Sequence, residues 1–172
     1  MPEQTNLHGT CVAVGEHGVL LLGPPGSGKS DLALRLIDEP GQGSGGTVLQ
    51  TRLVADDQVL LRRADERLIA SAPPSLKGLL EVRGLGVISA SAVRDEVVLS
   101  LALRLVPSGK IERMPSAEGS QIDILGVALN VLEVAPFHAS APAFVRAAAT
   151  MHKSLFSNSG EVSACEPSSF TA

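Results

Sequence analysis

The chain has 172 residues, of which 44% are hydrophobic and 19% are charged, and its formal net charge is −4. This composition is typical of a folded globular domain and argues against a disordered chain. A negative net charge without Tyr or Trp disfavours a nucleic-acid surface, which needs positive charge and aromatic platforms. Cys11 and Cys165 share no metal-ligand spacing with a histidine, so we expect neither a zinc site nor a disulfide framework.

The length predicts one domain with a tail. We expect a catalytic domain over residues 1–156 and a flexible tail over 157–172, because the tail is rich in serine and has few large apolar residues. The polar start shows no signal-peptide pattern, and no apolar stretch approaches the length of a membrane span. The expected location is the cytoplasm, with no membrane partner.

The first predicted elements form a hairpin. Apolar runs at 10–14 and 18–22 are joined by residues 15–18, which include two glycines. The second run leads directly into a phosphate-binding loop, described next. Most proteins with such a loop begin with a parallel strand–helix–strand unit and not with a hairpin. A mixed sheet is therefore expected.

Next comes a phosphate-binding loop that fits G-x-x-x-x-G-K-[ST] at every fixed position. Its residues are Gly23, Pro24, Pro25, Gly26, Ser27, Gly28, Lys29 and Ser30. Glycines let backbone N–H groups approach a polyphosphate, Lys29 can reach its β and γ phosphates, and the Ser30 hydroxyl can bind magnesium. The helix predicted over 31–37 adds its N-terminal N–H groups to the same site. The motif predicts an ATP or GTP site.

Pro40 ends this helix. The glycine-rich run 41–46 spells G-x-G-x-x-G, but it follows a helix and opens none, so we interpret it as a flexible surface loop and not as a dinucleotide site.

Two adjacent carboxylates, Asp56 and Asp57, follow a buried strand predicted over 52–55. Adjacent carboxylates repel each other unless a cation or a proton-transfer role keeps them together, although Asp is also common in solvated turns. In a chain that also carries a phosphate loop, the pair is a candidate magnesium ligand and general base. A hairpin is predicted from the strands 58–63 and 67–71.

Glu81 and Arg83 interrupt the apolar stretch 79–88. On one strand they would share a face, so they either pair with each other or point at a ligand or metal. Beyond them we predict a central strand over 97–106, a polar loop over 107–121 that carries Arg113, a strand region over 122–134 and a helix over 141–156.

Several of these motifs, taken in order, resemble the catalytic C-terminal domain of the HPr kinase/phosphorylase family. They are Leu7-His8-Gly9, the phosphate loop, Leu53 to Asp57, and Glu81-Val82-Arg83-Gly84-Leu85-Gly86-Val87-Ile88. The resemblance covers about residues 7–115 and continues more weakly to about 155. It implies a phosphate-loop kinase domain of α/β class with a mixed sheet, a fold shared with phosphoenolpyruvate carboxykinase. The implied activity uses ATP and Mg²⁺ to phosphorylate a serine of the phosphocarrier protein HPr, which serves sugar transport.

The resemblance also implies roles for single residues. His8 has a catalytic role beside the phosphate site, and Ser30 and Glu81 bind magnesium. Asp57 accepts the serine proton, with Asp56 beside it. Further catalytic residues are Lys29, Arg83 and Arg113, and the segment 81–90 serves both directions of the reaction. Without the resemblance, His8 would be interpreted as a solvated histidine and Arg113 as a charged residue of a loop. We interpret His17, His138 and His152, which the resemblance does not cover, as structural or exposed.

The chain also departs from the family pattern. It lacks the additional N-terminal domain of the long enzymes and so resembles the short, alphaproteobacterial type; a hexameric assembly is implied by the family. Residues 122–140 contain no clear counterpart of the loop that the family uses for phosphorolysis, so the reverse reaction stays open. Two alternatives stay open, a kinase of the same fold with another substrate and a nucleotide-sensing regulatory module.

Overall fold

A computed structural model of the chain describes residues 3–111, 113 and 120–156. Its first three strands are β1 (Gln4–His8), β2 (Thr10–Val14) and β3 (His17–Leu22), and β3 leads through the phosphate loop into helix α1 (Lys29–Asp38). Strands β2 and β3 pair antiparallel through a tight turn at Gly15 and Glu16. The predicted hairpin before the phosphate loop is confirmed. Strand β1 was missed, because residues 4–8 alternate between exposed and half-buried positions and carry little apolar signal.

The chain continues through β4 (Thr51–Ala55), β5 (Gln58–Ala64), β6 (Arg67–Ser71), β7 (Leu79–Val82), β8 (Gly86–Ser89), β9 (Glu96–Leu105), β10 (Ser120–Ile124) and β11 (Val127–Val134) to helix α2 (Ala141–Phe156). Short 3₁₀ turns lie at Pro74–Leu76 and Ser108–Lys110. The predicted helix at 141–156 and the predicted hairpin of β5 and β6 are confirmed. The predicted tail at 157–172 lies outside the described residues.

Within the described residues, nine strands form one mixed sheet in which β9 lies between β6 and β3. Strands β3 and β11 run parallel to β9, while the other pairings in the sheet are antiparallel. The long β9 pairs with β6 through its first half and with β11 through its second half. The prediction of a mixed sheet with a central strand near 97–106 is therefore confirmed.

Two apolar clusters bury the faces of this sheet. One packs α1 and α2 against strands that include β2, β3 and β9, with Leu32, Leu36 and Val145 fully buried. The other lies on the opposite face between β5, β6, β10 and their neighbours. Helix α1 buries residues 29, 32, 33 and 36, which is the spacing of one helical face. Packing of this face holds the first turn of α1, and with it the phosphate loop, against the sheet.

Two regions contain hairpins that the sequence analysis did not resolve. The stretch 79–88 is a separate two-stranded hairpin of β7 and β8, not one strand, because Gly84 adopts a φ of 88° at its turn, which favours glycine. Glu81 therefore lies in β7 and Arg83 in the turn. Residues 122–134 likewise belong to the hairpin of β10 and β11. None of the helices in the described ranges has the length and apolar character needed to cross a membrane.

Candidate active site

The phosphate loop connects the end of β3 to the first turn of α1. Gly28 caps the helix with a φ of 97°, a conformation that glycine adopts without strain. A Cβ atom at Gly28 would also lie 2.8 Å from the ring of Phe137, closer than packing allows. The first-turn N–H groups of α1 and the backbone of the loop thus form a site for a phosphate group.

Lys29 packs against this loop and is only 7% exposed. Its ammonium donates to the backbone carbonyls of Gly23 and Pro24, at 2.9 and 3.1 Å. Burial lowers the pKa of Lys29, and the nearby carboxylates of Asp56 and Asp57 partly oppose that shift. A bound phosphate would add further negative charge and so favour the ammonium form.

Asp56 is the polar centre of the site and is only 5% exposed. Its Oδ1 accepts hydrogen bonds from the hydroxyls of Thr10 and Ser30, at 2.7 and 3.0 Å. Its Oδ2 accepts from the Ser30 hydroxyl at 3.2 Å and from the Glu81 backbone N–H at 3.1 Å. One carboxylate thereby joins β2, α1 and β7, three elements that are distant in sequence.

Asp57, in contrast, has 60% of its side chain exposed. Its φ of 66° is in the left-handed region, which is uncommon for residues with a side chain and is tolerated best by Asn and Asp. His8 Nδ1 lies 3.0 Å from the Asp57 backbone carbonyl and 3.3 Å from Asp57 Oδ1. Because the carbonyl can only accept, Nδ1 donates, and Nε2 faces Lys29 Nζ at 3.4 Å. His8 thus connects the exposed carboxylate to the phosphate-loop lysine.

The hairpin of β7 and β8 forms another wall of the site, next to α1. Glu81 is fixed by its backbone bond to Asp56, while its side chain is exposed. Arg83 extends towards the phosphate loop, and its Nη2 lies 3.7 Å from the position a Cβ would take at Gly26. The β7–β8 hairpin therefore brings a cation to the phosphate loop.

These residues surround one cavity of about 420 Å³. Its lining comprises His8, Pro25, Gly26, Gly28, Lys29, Ser30, Asp31, Leu34, Asp56, Asp57, Glu81, Val82, Arg83 and Phe137. No group of three or more His, Cys, Asp or Glu side chains in the described part of the chain could hold a metal ion alone. A hard cation here would take oxygen ligands from Ser30 and a carboxylate together with oxygens of a bound phosphate.

Most of the residues selected from the sequence meet at this cavity. Gly23, Pro24 and Ser27 belong to the loop but not to the cavity lining, and the buried Ser27 hydroxyl has no partner among the described residues. Arg113 is exposed and is not among the lining residues. Sequence reasoning missed Thr10 and Phe137, since a threonine in an apolar strand and a phenylalanine after a strand carry no functional signal alone.

The family model of the HPr Serine kinase C-terminal domain matches residues 1–164. The chain belongs to this family. One relative is the HPr kinase/phosphorylase of Lacticaseibacillus casei, which is 36% identical over 132 residues. The match covers 71% of this chain and 38% of the relative. The HPr kinase/phosphorylase of Burkholderia lata is also 36% identical, over 140 residues, with 76% of this chain and 40% of the relative covered.

A solved structure of the family shares the fold. The Hpr(Ser) kinase/phosphatase from Coxiella burnetii is 25% identical and superposes with a TM-score of 0.70, covering 87% of this chain and 96% of that chain. The mixed α/β fold predicted from the sequence is thus confirmed. The chain spans about two fifths of the length of the curated relatives that it matches.

Proposed function

We propose that this chain transfers the γ-phosphoryl group of ATP to a serine hydroxyl of the phosphocarrier protein HPr. The observation that carries the proposal is the shared cavity, which has a phosphate loop on one wall and the exposed carboxylate of Asp57 on another. Family membership and the names of the relatives support the choice of substrate. The reaction belongs in the cytoplasm, where ATP is available, and a homo-oligomer of the family type is part of the proposal.

The residues of the cavity fit a magnesium nucleotide. Ser30 and Asp56 are joined by hydrogen bonds of 3.0 and 3.2 Å, and a serine and an aspartate together hold magnesium in many phosphate-loop enzymes. Glu81 offers a further carboxylate from β7. Magnesium bound there would offset the negative charge of the β and γ phosphates.

Each residue then has a distinct role in the transfer. Asp57 accepts the proton of the serine hydroxyl as the serine oxygen bonds to the γ-phosphorus, and the bond to the β–γ bridging oxygen breaks to leave ADP. His8 orients Asp57 through Nδ1. Lys29 and Arg83 stabilise the negative charge on the transferred group. Arg113 stays a proposed catalytic residue by resemblance, without a contact at the cavity.

The test uses purified protein with magnesium, γ-labelled ATP and HPr of the same organism, followed by mapping of the label. We expect label on one serine of HPr. Lys29→Ala should abolish transfer, because it removes the cation that contacts the β and γ phosphates. Asp57→Asn should keep ATP binding and lose most of the transfer, because the amide cannot accept the proton.

Asp65→Asn is the matched control for Asp57→Asn. Asp65 has a similar left-handed φ of 55° and is exposed in the turn between β5 and β6, outside the cavity. Its variant should retain full activity. Normal transfer by Asp57→Asn would contradict its role as the base. ATP binding without label on HPr would instead indicate another substrate or a nucleotide-sensing module.

A further inference from the structure

The cavity contains an apolar region that the transfer chemistry does not use. Leu34 of α1, Val82 of β7 and Phe137 line it together with the phosphate loop. Phe137 is 71% exposed, although a large aromatic ring in a cavity wall would gain most by being covered. The exposed ring therefore indicates a ligand surface.

The position of the ring relative to Lys29 indicates which part of a ligand it would meet. In a phosphate loop, the lysine marks the β and γ phosphates, while the backbone around the helix start holds the α and β phosphates. The γ end therefore points to Lys29 Nζ, where His8 lies at 3.4 Å. The nucleoside must leave the loop on the side of Gly28 and the first turns of α1. Phe137 lies against Gly28, and Leu34 lies one turn after Ser30 on α1.

The backbone holds Phe137 in this position. The carbonyl of Pro136 accepts a hydrogen bond from Arg35, whose guanidinium is fixed by Asp31 at 2.8 and 3.0 Å. The His138 N–H closes a turn onto the Ala135 carbonyl at 3.3 Å. The ring atoms nearest to Gly28 are Cζ and Cε1, and most of the residue stays exposed to the cavity side. A ring that is already in place loses little conformational freedom when a ligand stacks on it.

We propose that Phe137, with Leu34 and Val82, forms the surface that binds the nucleobase of the nucleoside triphosphate. The inference rests on the proposed function, which puts a nucleoside triphosphate on the loop. Stacking acts on the ring face that every base presents. The Asp31 carboxylate, which also lines the cavity, is already paired with Arg35, so the surface should bind adenine and guanine with similar strength.

Equilibrium binding tests the proposal without requiring phosphoryl transfer. Calorimetric titrations with magnesium would compare ATP, GTP and inorganic tripolyphosphate, which has no base. Phe137→Ala should weaken ATP and GTP alike by roughly 10-fold to 100-fold, the usual effect of losing an aromatic platform for one base. Tripolyphosphate should bind the variant and the original protein equally. Phe144→Ala is the matched control, since Phe144 is a half-exposed phenylalanine of α2 outside the cavity lining, and it should change none of the three affinities.

A spectroscopic test uses the absence of Trp and Tyr from the sequence. Phe137→Trp would place the sole tryptophan of the protein on the proposed surface and preserve the aromatic face. Its fluorescence should change on addition of ATP but not of tripolyphosphate, whereas the tryptophan of Phe144→Trp should respond to neither.

Several results would overturn the proposal. If the original protein binds ATP and Phe137→Ala binds it equally well, the base lies elsewhere, while the proposed function is unaffected. Equal weakening of ATP and tripolyphosphate would show that Phe137 only shapes the phosphate loop. Unchanged ATP affinity with a raised KM for HPr would make Phe137 a docking residue for the protein substrate. Failure of the original protein to bind ATP would overturn both this proposal and the proposed function.

Discussion

Asp56 and Asp57 are neighbours in the sequence, but their surroundings are opposite. Asp56 is buried and accepts hydrogen bonds from two hydroxyls and one backbone N–H. Asp57 is exposed to the cavity and contacts His8. A carboxylate that is already fully hydrogen-bonded fits a structural and metal-binding role, whereas an exposed carboxylate is free to meet a serine hydroxyl. The geometry thus supports Asp57 as the proposed base.

Neutralising each aspartate separates these roles. In Asp56→Asn, an N–H group replaces one of two acceptor oxygens, so a buried donor faces donors. We expect the free energy of unfolding to fall by about 1–3 kcal/mol. Asp57→Asn should change it by less than about 0.5 kcal/mol, because the side chain is exposed and Asn tolerates the left-handed backbone. Urea denaturation of both variants measures the difference, and equal losses would contradict the distinct surroundings of the two carboxylates.

At the scale of residues, the sequence predicted which side chains line the cavity, but not the hydrogen bonds and contacts that hold them there. The phosphate-loop pattern and the adjacent aspartates were visible as motifs, and both lie at the cavity. The partners of Asp56 were not predictable, because Thr10 comes from another strand and gives no pattern. Phe137 was missed because its place beside the phosphate loop depends on long-range contacts, such as the hydrogen bond from Arg35 to the Pro136 carbonyl, 101 residues apart.

At the scale of elements, the contact between β3 and β9 determines where the phosphate loop lies. The two strands are parallel, with a register shift between Gly18 and Val19. At Gly18 the backbones come so close that a Cβ would lie 2.5 Å from the Val98 carbonyl oxygen and 2.8 Å from Val97 Cγ1. Because β3 continues directly into the loop, a displacement at Gly18 would move the loop relative to the central strand.

Gly18→Ala is therefore expected to destabilise the protein. The added methyl group has no space, and overpacking of this kind costs about 1–3 kcal/mol. Gly46→Ala is the control, because a Cβ there would meet nothing within 4 Å, and its effect should stay within about 0.5 kcal/mol. Thermal unfolding of both variants, with ATP titrations at a temperature where each is folded, measures the effect. Equal stability of the two variants would contradict the close approach of β3 and β9.

Elements with strong local signals were predicted well. The helix 141–156 and the hairpin of β5 and β6 have clear periodicity and turn residues, and both are confirmed. The hairpin of β7 and β8 was not predicted, because 79–88 was taken as one apolar stretch without a turn. Its glycine-containing turn brings Arg83 to the cavity, and the apolar pattern alone did not predict this.

For the whole molecule, Arg146 joins segments that are far apart in the sequence. It is 4% exposed, and its Nη2 donates to the carbonyls of Leu36, at 3.4 Å, and of Glu39 at the end of α1. Burial lowers the pKa of its guanidinium, and Glu39 partly opposes that shift. The glycine-rich run 41–46 packs against α2 at Arg146, since a Cβ at Gly43 would lie 2.9 Å from Arg146 Cβ. The run predicted as a flexible surface loop thus contacts α2.

Arg146→Ala tests whether this one side chain holds α2 to α1. The variant loses charged hydrogen bonds to the carbonyls that end α1, so we expect the free energy of unfolding to fall by about 1.5–3 kcal/mol. Hydrogen exchange should quicken most in α2 and at the end of α1, because these segments lose their shared anchor. Arg104→Ala, at an exposed position of β9, is the control and should change stability by less than about 0.5 kcal/mol. Faster exchange spread evenly over the sheet would show that Arg146 supports the core in general and does not specifically connect the two helices.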